Sequence, residues 1–440
     1  MLVYLESLGC ARNQVDSETM LAQLASAGWR VTHDPAAAHV IVVNTCSFIE
    51  SAADESIDTI LELSAYKRKG RCRRLIVTGC LPERYGRETA RSLPEVDLFL
   101  GTGAYDQIVA AVQGDIAPGR CLLPDPDTIP TQRPQLRRPF SPAAAYLKIA
   151  EGCDRHCTYC IIPKLRGRQK SRPLETLLAE ARALISTGIR ELTLVAQETT
   201  AYGQDLTSDE NLARLLEQLA RLDQAVWIRF LYGHPQSMSP AVMKIIAQHD
   251  NLCPYFDIPI QHASARVLRR MGRAYTDQDL VRLFDRIRTS IPDAALRTTV
   301  LVGFPGESDQ DFRKLVDFIE HVRFDHLGAF VYSDAEDLAA HSLSGHVGPR
   351  VAHQRLDHLM AIQQGISARS LEKFMDQRLE VLVERICKDD QAEGRSPYQA
   401  PEVDGSTLIR GSGVHALTVG SIIPVHIVQT LDYDLIGEVA

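Results

Sequence analysis

Apolar residues fall along the chain in two rhythms. Short, nearly unbroken apolar runs recur, separated by longer stretches with apolar positions every three or four residues. The runs read as buried strands and the stretches as amphipathic helices. In the first hundred residues the strands are 2–5, 39–43 and 75–77. Helices are expected at 14–27, ending at Gly28, at 49–68, and in a segment whose first turn holds Pro82. From residue 143 the alternation resumes, with strands at 146–150, 191–195, 227–231, 256–260, 296–302 and 326–331. Helices such as 174–187, 209–221 and 276–289 separate them. Strand–helix alternation argues for parallel sheets covered by helices. The fold class is therefore α/β: a doubly wound parallel domain first, then six βα units forming a partial (βα)6 barrel. After about residue 371 the rhythm shortens to strands at 379–383, 407–410 and 422–428, punctuated by Gly394, Gly405, Gly411 and Gly413. That pattern predicts a small β-barrel.

Between the first two regions lie Pro118, Pro124, Pro126, Pro130, Pro134, Pro139 and Pro142. Proline at this density excludes a helix and most sheet pairing, so an extended connector is expected, with Arg133, Arg137 and Arg138 solvated. The division is then 1–115, a linker at 116–142, 143–370 and 371–440. A length of 440 residues suits three domains. No apolar run approaches 20 residues, so no membrane association is expected. The first residues lack the basic head and apolar core of a secretory signal. Ten cysteines are too sparse for a disulfide scaffold in a chain this long, which favours a reducing cytoplasm and metal ligation. A net charge of −8 gives no overall basic signature for nucleic acid.

The densest chemistry follows the strand at 146–150. Cys153, Cys157 and Cys160 place three thiols within eight residues, at C-x-x-x-C-x-x-C spacing. Thiolates ligate iron–sulfur clusters, and three ligands to a four-iron cubane leave one iron open. An open position lets a metal centre act on a small molecule. Zinc sites instead pair C-x-x-C units and use four ligands. Three further cysteines, Cys10, Cys46 and Cys80, each lie within a few residues of the carboxyl end of a predicted strand. Open α/β sheets bind ligands at that edge. On the residues alone these three are either ligands of another cluster or half-buried thiols. Cys72, Cys121, Cys253 and Cys387 have no partner at ligand spacing and read as structural.

The cysteine loop, with Tyr159 before its last cysteine, resembles the radical S-adenosylmethionine superfamily. The resemblance implies that the open iron chelates S-adenosyl-L-methionine, whose one-electron cleavage yields a 5′-deoxyadenosyl radical. The segments Ser7-Leu8-Gly9-Cys10, Asn13, Asp16-Ser17-Glu18, Asn44-Thr45-Cys46 and Val77-Thr78-Gly79-Cys80-Leu81 resemble the N-terminal domain of methylthiotransferases. Arg12 stands where many members carry lysine. This second resemblance implies that Cys10, Cys46 and Cys80 hold another cluster, making two 4Fe-4S clusters that face one cavity. One would serve hydrogen abstraction and the other would present sulfur, with a second S-adenosylmethionine giving the methyl group. Tyr159, Gln197 and Gln261 are the expected cofactor contacts. Glu198, Tyr202, Gly203, His234, His262 and Glu307 stand at the same strand ends, although Gly-x-Pro-Gly-Glu is also an ordinary turn. No side chain is assigned as a catalytic acid or base.

The C-terminal region resembles the TRAM domain that ends methylthiotransferases. It carries twelve acids against six bases from residue 371 onward. Phosphate neutralisation dominates nucleic-acid affinity, so an RNA reader should lean basic. This domain should attract a basic protein instead, without direct RNA readout. Residues 399–405, Gln-Ala-Pro-Glu-Val-Asp-Gly, with Arg395-Ser396 before them, resemble the RimO-type branch of the family. That branch implies an aspartate β-carbon of ribosomal small-subunit protein twelve as substrate; the alternative is a transfer RNA adenosine. An electron donor such as flavodoxin or ferredoxin is implied as a partner.

Overall fold

The computed structural model describes residues 1–116, 120–128, 137–388 and 390–440. Pro118, Pro130, Arg133, Pro134 and Asp389 lie outside the described residues. The chain divides into two compact units. One comprises Met1–Phe140, Lys148–His156 and Cys160–Glu180; the other comprises Ser141–Leu147, Cys157–Tyr159 and Ala181–Ala440.

The first unit is built on an all-parallel sheet. Its strands are β1 (Leu2–Ser7), β2 (Arg30–Val31), β3 (Val40–Thr45), β4 (Arg74–Gly79), β5 (Leu98–Leu100) and β6 (Cys121–Leu122), in the order β2-β1-β3-β4-β5-β6. Strand β3 is buried along its whole length because both faces are covered. Val40, Val42 and Ile76 enter one core with Met20, Leu24 and Trp29. Ile41, Val43, Leu75 and Val77 enter the other with Ile60 and Leu63. The doubly wound expectation holds. Strand order reverses between β1 and β3, and such switch points open a crevice at the carboxyl ends of the strands.

Sequence reading found three of these strands. β2, β5 and β6 have only two or three residues, too few to show a periodicity. β6 falls in the stretch read as a linker, and Arg120 beside it donates to the carbonyls of Ala90, Leu93 and Val96. Arg137 is not solvated as expected: it is buried and paired with Glu18 and, at 2.8 Å, with Glu180. A short antiparallel pair, β8 (Ala150–Glu151) and β9 (Lys170–Ser171), completes this unit.

The second unit carries β7 (Ala144–Lys148, its last residue counted with the first unit), β10 (Glu191–Val195), β11 (Trp227–Phe230), β12 (Tyr255–Asp257), β13 (Ala295–Val302) and β14 (His326–Val331). They form two three-stranded sheets, ordered β11-β10-β7 and β12-β13-β14, joined by a parallel bridge from Ile228 to Leu252. This is the expected partial barrel. β12 stops at Asp257, short of residue 260, because Pro259 cannot donate to a ladder. After the helix Pro349–Leu371 come β15 (Arg378–Ile386), β16 (Gln391–Arg395), β17 (Thr407–Arg410), β18 (Ile422–Thr430) and β19 (Leu435–Val439). They close into a barrel, β15-β16-β17-β19-β18, around Val381, Val383, Ile409, Val425, Ile427 and Leu435.

The segment between β16 and β17 is seated on the amino-terminal ends of the parallel strands. Arg395 Nη2 meets Glu191 Oε2 at 2.7 Å, and Arg229 Nη1 donates to the Pro397 carbonyl at 2.8 Å. His326 Nε2 lies 2.9 Å from the Tyr398 carbonyl, and the Tyr255 hydroxyl donates to Asp404. Among the described residues, no helix is long and apolar enough to cross a membrane.

Candidate iron–sulfur and cofactor sites

Three thiols meet at the switch-point edge of the first unit. Cys10 caps the helix Ala11–Ser26 just after β1, Cys46 follows β3, and Cys80 opens a short helix directly after β4. The approach is close. A Cβ built on Gly9 would lie 2.7 Å from Cys46 Cβ, and one on Gly79 would lie 2.5 Å from Asn44 Oδ1. Both glycines hold positive φ, 92° and 97°, which other residues rarely adopt. Ser56 fixes the Cys46 loop, accepting from its N–H at 3.1 Å and donating to its carbonyl at 2.8 Å.

The three sulfurs feel one another. Burial and the neighbouring Cys10 raise the Cys46 thiol, and burial pushes Cys80 up to about 11 against the pull of Arg166. Cys10 behaves oppositely. Burial would raise it, but the charge of Arg12 and the N–H of Asn13 outweigh that and hold it low. No three His, Cys, Asp or Glu side chains among the described residues converge tightly enough for a single ion. A four-iron cluster spreads its thiolates more widely. An all-sulfur set of three, in a cradle that a side chain on Gly9 or Gly79 would fill, suits such a cluster.

The residues around these thiols explain the rest of the N-terminal motif. Asn13 Nδ2 donates to the carbonyls of Leu8 at 3.1 Å and Thr45 at 2.9 Å, tying the Cys10 loop to the Cys46 loop. Asn44 Nδ2 donates to the Asn13 carbonyl and to Ser17 Oγ, both at 2.9 Å. Asp16 pairs with Lys148 and, at 2.8 Å, with Arg166. Glu18 accepts from Arg137 and from the Phe140 N–H. These side chains are scaffold.

The second cysteine set occupies the loop after β7 and β8, and all three thiols are partly exposed. Gly152 has φ 78°, and a Cβ there would lie 2.0 Å from the Arg168 carbonyl oxygen. The Cys153 N–H donates to the Gly167 carbonyl at 3.1 Å. Thr158 is held by the carbonyls of Met271 and Arg270 at 3.1 and 2.8 Å. The Tyr159 hydroxyl accepts from Arg273 Nη2 at 2.7 Å and Nε at 3.1 Å, and its ring meets Phe304 edge-on at 6.4 Å. Arg273 is buried and also donates to the Tyr275 hydroxyl at 3.1 Å. Sequence reading missed Arg273, because nothing in Met271-Gly272-Arg273 marks it.

Gln197 follows β10 and Gln261 follows β12, both partly exposed at the carboxyl rim of the strands. Gln261 holds φ 66° and is locked to β13, its N–H on Thr299 at 2.9 Å and its carbonyl accepting from Leu301 at 2.8 Å. Tyr232, after β11, holds φ 62°, its N–H bonded to Asp257 Oδ2 at 2.8 Å. Left-handed backbone at a non-glycine residue costs about 1–3 kcal/mol and gathers at functional sites. Two consecutive strand ends carry it, on the rim where barrel enzymes place their chemistry.

Other rim residues have structural work. Glu198 accepts from Ser237 Oγ at 2.6 Å, and His234 Nδ1 accepts from the Gln236 N–H at 3.2 Å. His262 Nδ1 accepts from the N–H groups of Ala263 and Ser264 at 2.9 Å, and burial pushes it down to about 3, so it stays neutral. Glu307 accepts from the Phe304 N–H at 3.1 Å and faces Arg355 at 3.1 Å, closing its own turn.

A partial barrel of six strands with a three-cysteine loop after the first defines a radical S-adenosylmethionine enzyme, a class that uses S-adenosylmethionine and a 4Fe-4S cluster. A family model described as the radical SAM superfamily matches residues 147–319. Those for uncharacterized protein family UPF0004 and the TRAM domain match 2–101 and 377–440. The ribosomal protein uS12 methylthiotransferase RimO of Desulfosudis oleivorans is 55% identical over 440 residues, covering all of both chains. Its counterpart in Clostridioides difficile is 44% identical over 99% of this chain and 98% of that one. The chain belongs to the RimO family of ribosomal protein uS12 methylthiotransferases. Among solved structures, the radical S-adenosylmethionine methyltransferase TsrM of Kitasatospora setae, with tryptophan and a SAM analogue bound, shares the fold. Its TM-score is 0.61 at 14% identity, over 83% of this chain and 89% of that one.

Proposed function

We propose that this chain adds a methylthio group to the β-carbon of an aspartate in ribosomal protein uS12. Cys153, Cys157 and Cys160 would ligate the cluster that binds S-adenosylmethionine, and Cys10, Cys46 and Cys80 would ligate a second 4Fe-4S cluster. When bound, the first supplies one-electron cleavage of the sulfonium and the second supplies an iron open to sulfur. The observation that carries the reading is the pair of three-thiol sets, each one ligand short of a closed cubane. Tyr159, clamped by Arg273, would present its face or backbone to adenine, and Gln197 and Gln261 would take polar groups of the cofactor.

Partner choice rests on charge. Glu380, Asp390, Glu402, Asp432 and Glu438 are exposed on or beside the closed barrel. Arg395 is buried against Glu191 and Glu384, and Arg385 pairs with Glu393. That surface favours a basic ribosomal protein over direct RNA readout. The enzyme would work in the cytoplasm and draw electrons from a flavodoxin or ferredoxin.

The test is anaerobic reconstitution. Wild-type protein should bind about eight irons per chain, and Cys→Ala replacement of either triad about four. The protein is then incubated with S-adenosylmethionine, reductant and either uS12 or transfer RNA. A methylthio mass gain on uS12, weakening as salt screens the acidic surface, is expected. Modification of the RNA alone would overturn the substrate; iron that survives loss of a triad would overturn the ligands.

A further inference from the structure

Arg166 is a buried cation that the reading above leaves without a task. Its side chain is 3% exposed. Nη1 meets Asp16 Oδ2 at 2.8 Å and Glu151 Oε2 at 3.3 Å. Nη2 donates to Asn13 Oδ1 and lies 3.7 Å from Cys80 Sγ, within reach of a sulfur hydrogen bond. Asn13 is the side chain that ties the Cys10 and Cys46 loops together. The next residue, Gly167, accepts the Cys153 N–H. One dipeptide thus touches both cysteine sets.

The geometry points to Arg166 as a positioning residue for the second cluster: its guanidinium holds Cys80 by an N–H···S bond and raises that cluster's reduction potential. The inference rests on Cys10, Cys46 and Cys80 being ligands. Hydrogen bonds to ligand sulfurs, net charge and burial set the potential of a cluster. A cation beside a thiolate lowers the energy of the more negative, reduced state. Inside the protein that field is weakly screened. Two carboxylates fix the planar fork, so Nη2 keeps its aim. Lysine could keep the charge but not the several contacts. A role limited to neutralising Asp16 and Glu151 would be met by lysine, and Arg166→Lys would then keep the wild-type potential.

The experiment uses the full chain in a Cys153→Ala, Cys157→Ala, Cys160→Ala background, where only the second cluster can form. About four irons in that background uphold the ligand reading on its own; none would overturn both. Spectroelectrochemical titration then compares Arg166 with Arg166→Gln and Arg166→Lys. Arg166→Gln should shift the redox equilibrium at least tenfold toward the oxidised cluster, 59 mV for a one-electron couple. Arg166→Lys should fall between. Should Arg166→Gln misfold, by far-UV circular dichroism and Trp29 emission, Arg166→Lys decides alone. A potential unchanged in any variant that binds its four irons overturns the inference. Iron lost from a variant that stays folded supports it.

Discussion

Glu191→Gln is the sharpest perturbation of the fold. Glu191 begins β10 and has no exposed surface. It accepts from Arg229 at 2.8 Å and from Arg395 at 2.7 Å, and Arg229 is equally buried. Burial alone would raise this carboxyl, but the two guanidinium charges hold it at about 2, against an ordinary 4.5. At 1.36 kcal/mol per pH unit the drop corresponds to about 3 kcal/mol. A depressed carboxyl stabilises above 4.5 and loses that contribution as pH falls toward 2. Removing the anion leaves Arg229 with the Pro397 carbonyl and the face of Tyr255 at 4.6 Å. Breaking a buried pair from one side costs about 3–5 kcal/mol, so both routes agree. Trp227 is the register partner of Glu191 on β11, and the chain has only two tryptophans. In a Trp29→Phe background, Trp227 emission during urea unfolding therefore reports on this site. Glu191→Gln should lose about 3 kcal/mol at pH 7, and the gap to wild type should shrink as pH falls below 4.5. Adding Arg229→Met should restore most of the loss, because the stranded charge goes with it. A loss under about 1 kcal/mol, or a double variant as weak as the sum of the singles, would refute the reasoning.

Two further outcomes follow from the rim. Burial pushes Glu307 up to about 7 despite Arg355 beside it. A raised carboxyl contributes fully below 4.5 and loses its contribution as pH climbs through 7. Glu307→Gln should therefore gain on wild type between pH 5 and 8, by up to about 3 kcal/mol; urea midpoints read by Trp227 check this, and a pH-independent difference would contradict it. Arg273→Met should slow release of 5′-deoxyadenosine from S-adenosylmethionine about tenfold, the worth of a charged hydrogen bond near 1.5 kcal/mol. Adding Tyr159→Phe should cost little more, since the two side chains act as one; additive losses would separate them.

What could be read from the chain depended on distance along it. Cys153, Cys157 and Cys160 were legible because their spacing is local. Cys10, Cys46 and Cys80 were legible only as strand-end positions, and became a set through the resemblance and then through the fold. Arg166 and Arg273 were invisible. Asp16 and Arg166 stand 150 residues apart, Tyr159 and Arg273 114, and no local pattern announces such a meeting. β16, Gln-Ala-Glu-Gly-Arg, offers one apolar side chain, so period-two alternation could not reveal it.

Residues 399–405 changed meaning most. By sequence they mark a branch of the family, and so a substrate. In the structure Gln399 Oε1 accepts from Ser396 at 3.0 Å and Thr407 at 2.8 Å, and Asp404 meets Tyr255 and Arg297. The motif seats the small barrel on the amino-terminal ends of the parallel strands, the opposite end from Gln197 and Gln261. It is a fold contact. Arg395 is sequestered by Glu191 and Glu384, while Glu380, Asp390, Asp432 and Glu438 remain exposed. A basic partner would thus be drawn by the outer face of the barrel and not by the motif, so charge reversal at those four acids should weaken binding of the protein substrate while leaving Glu191, and the stability it controls, untouched.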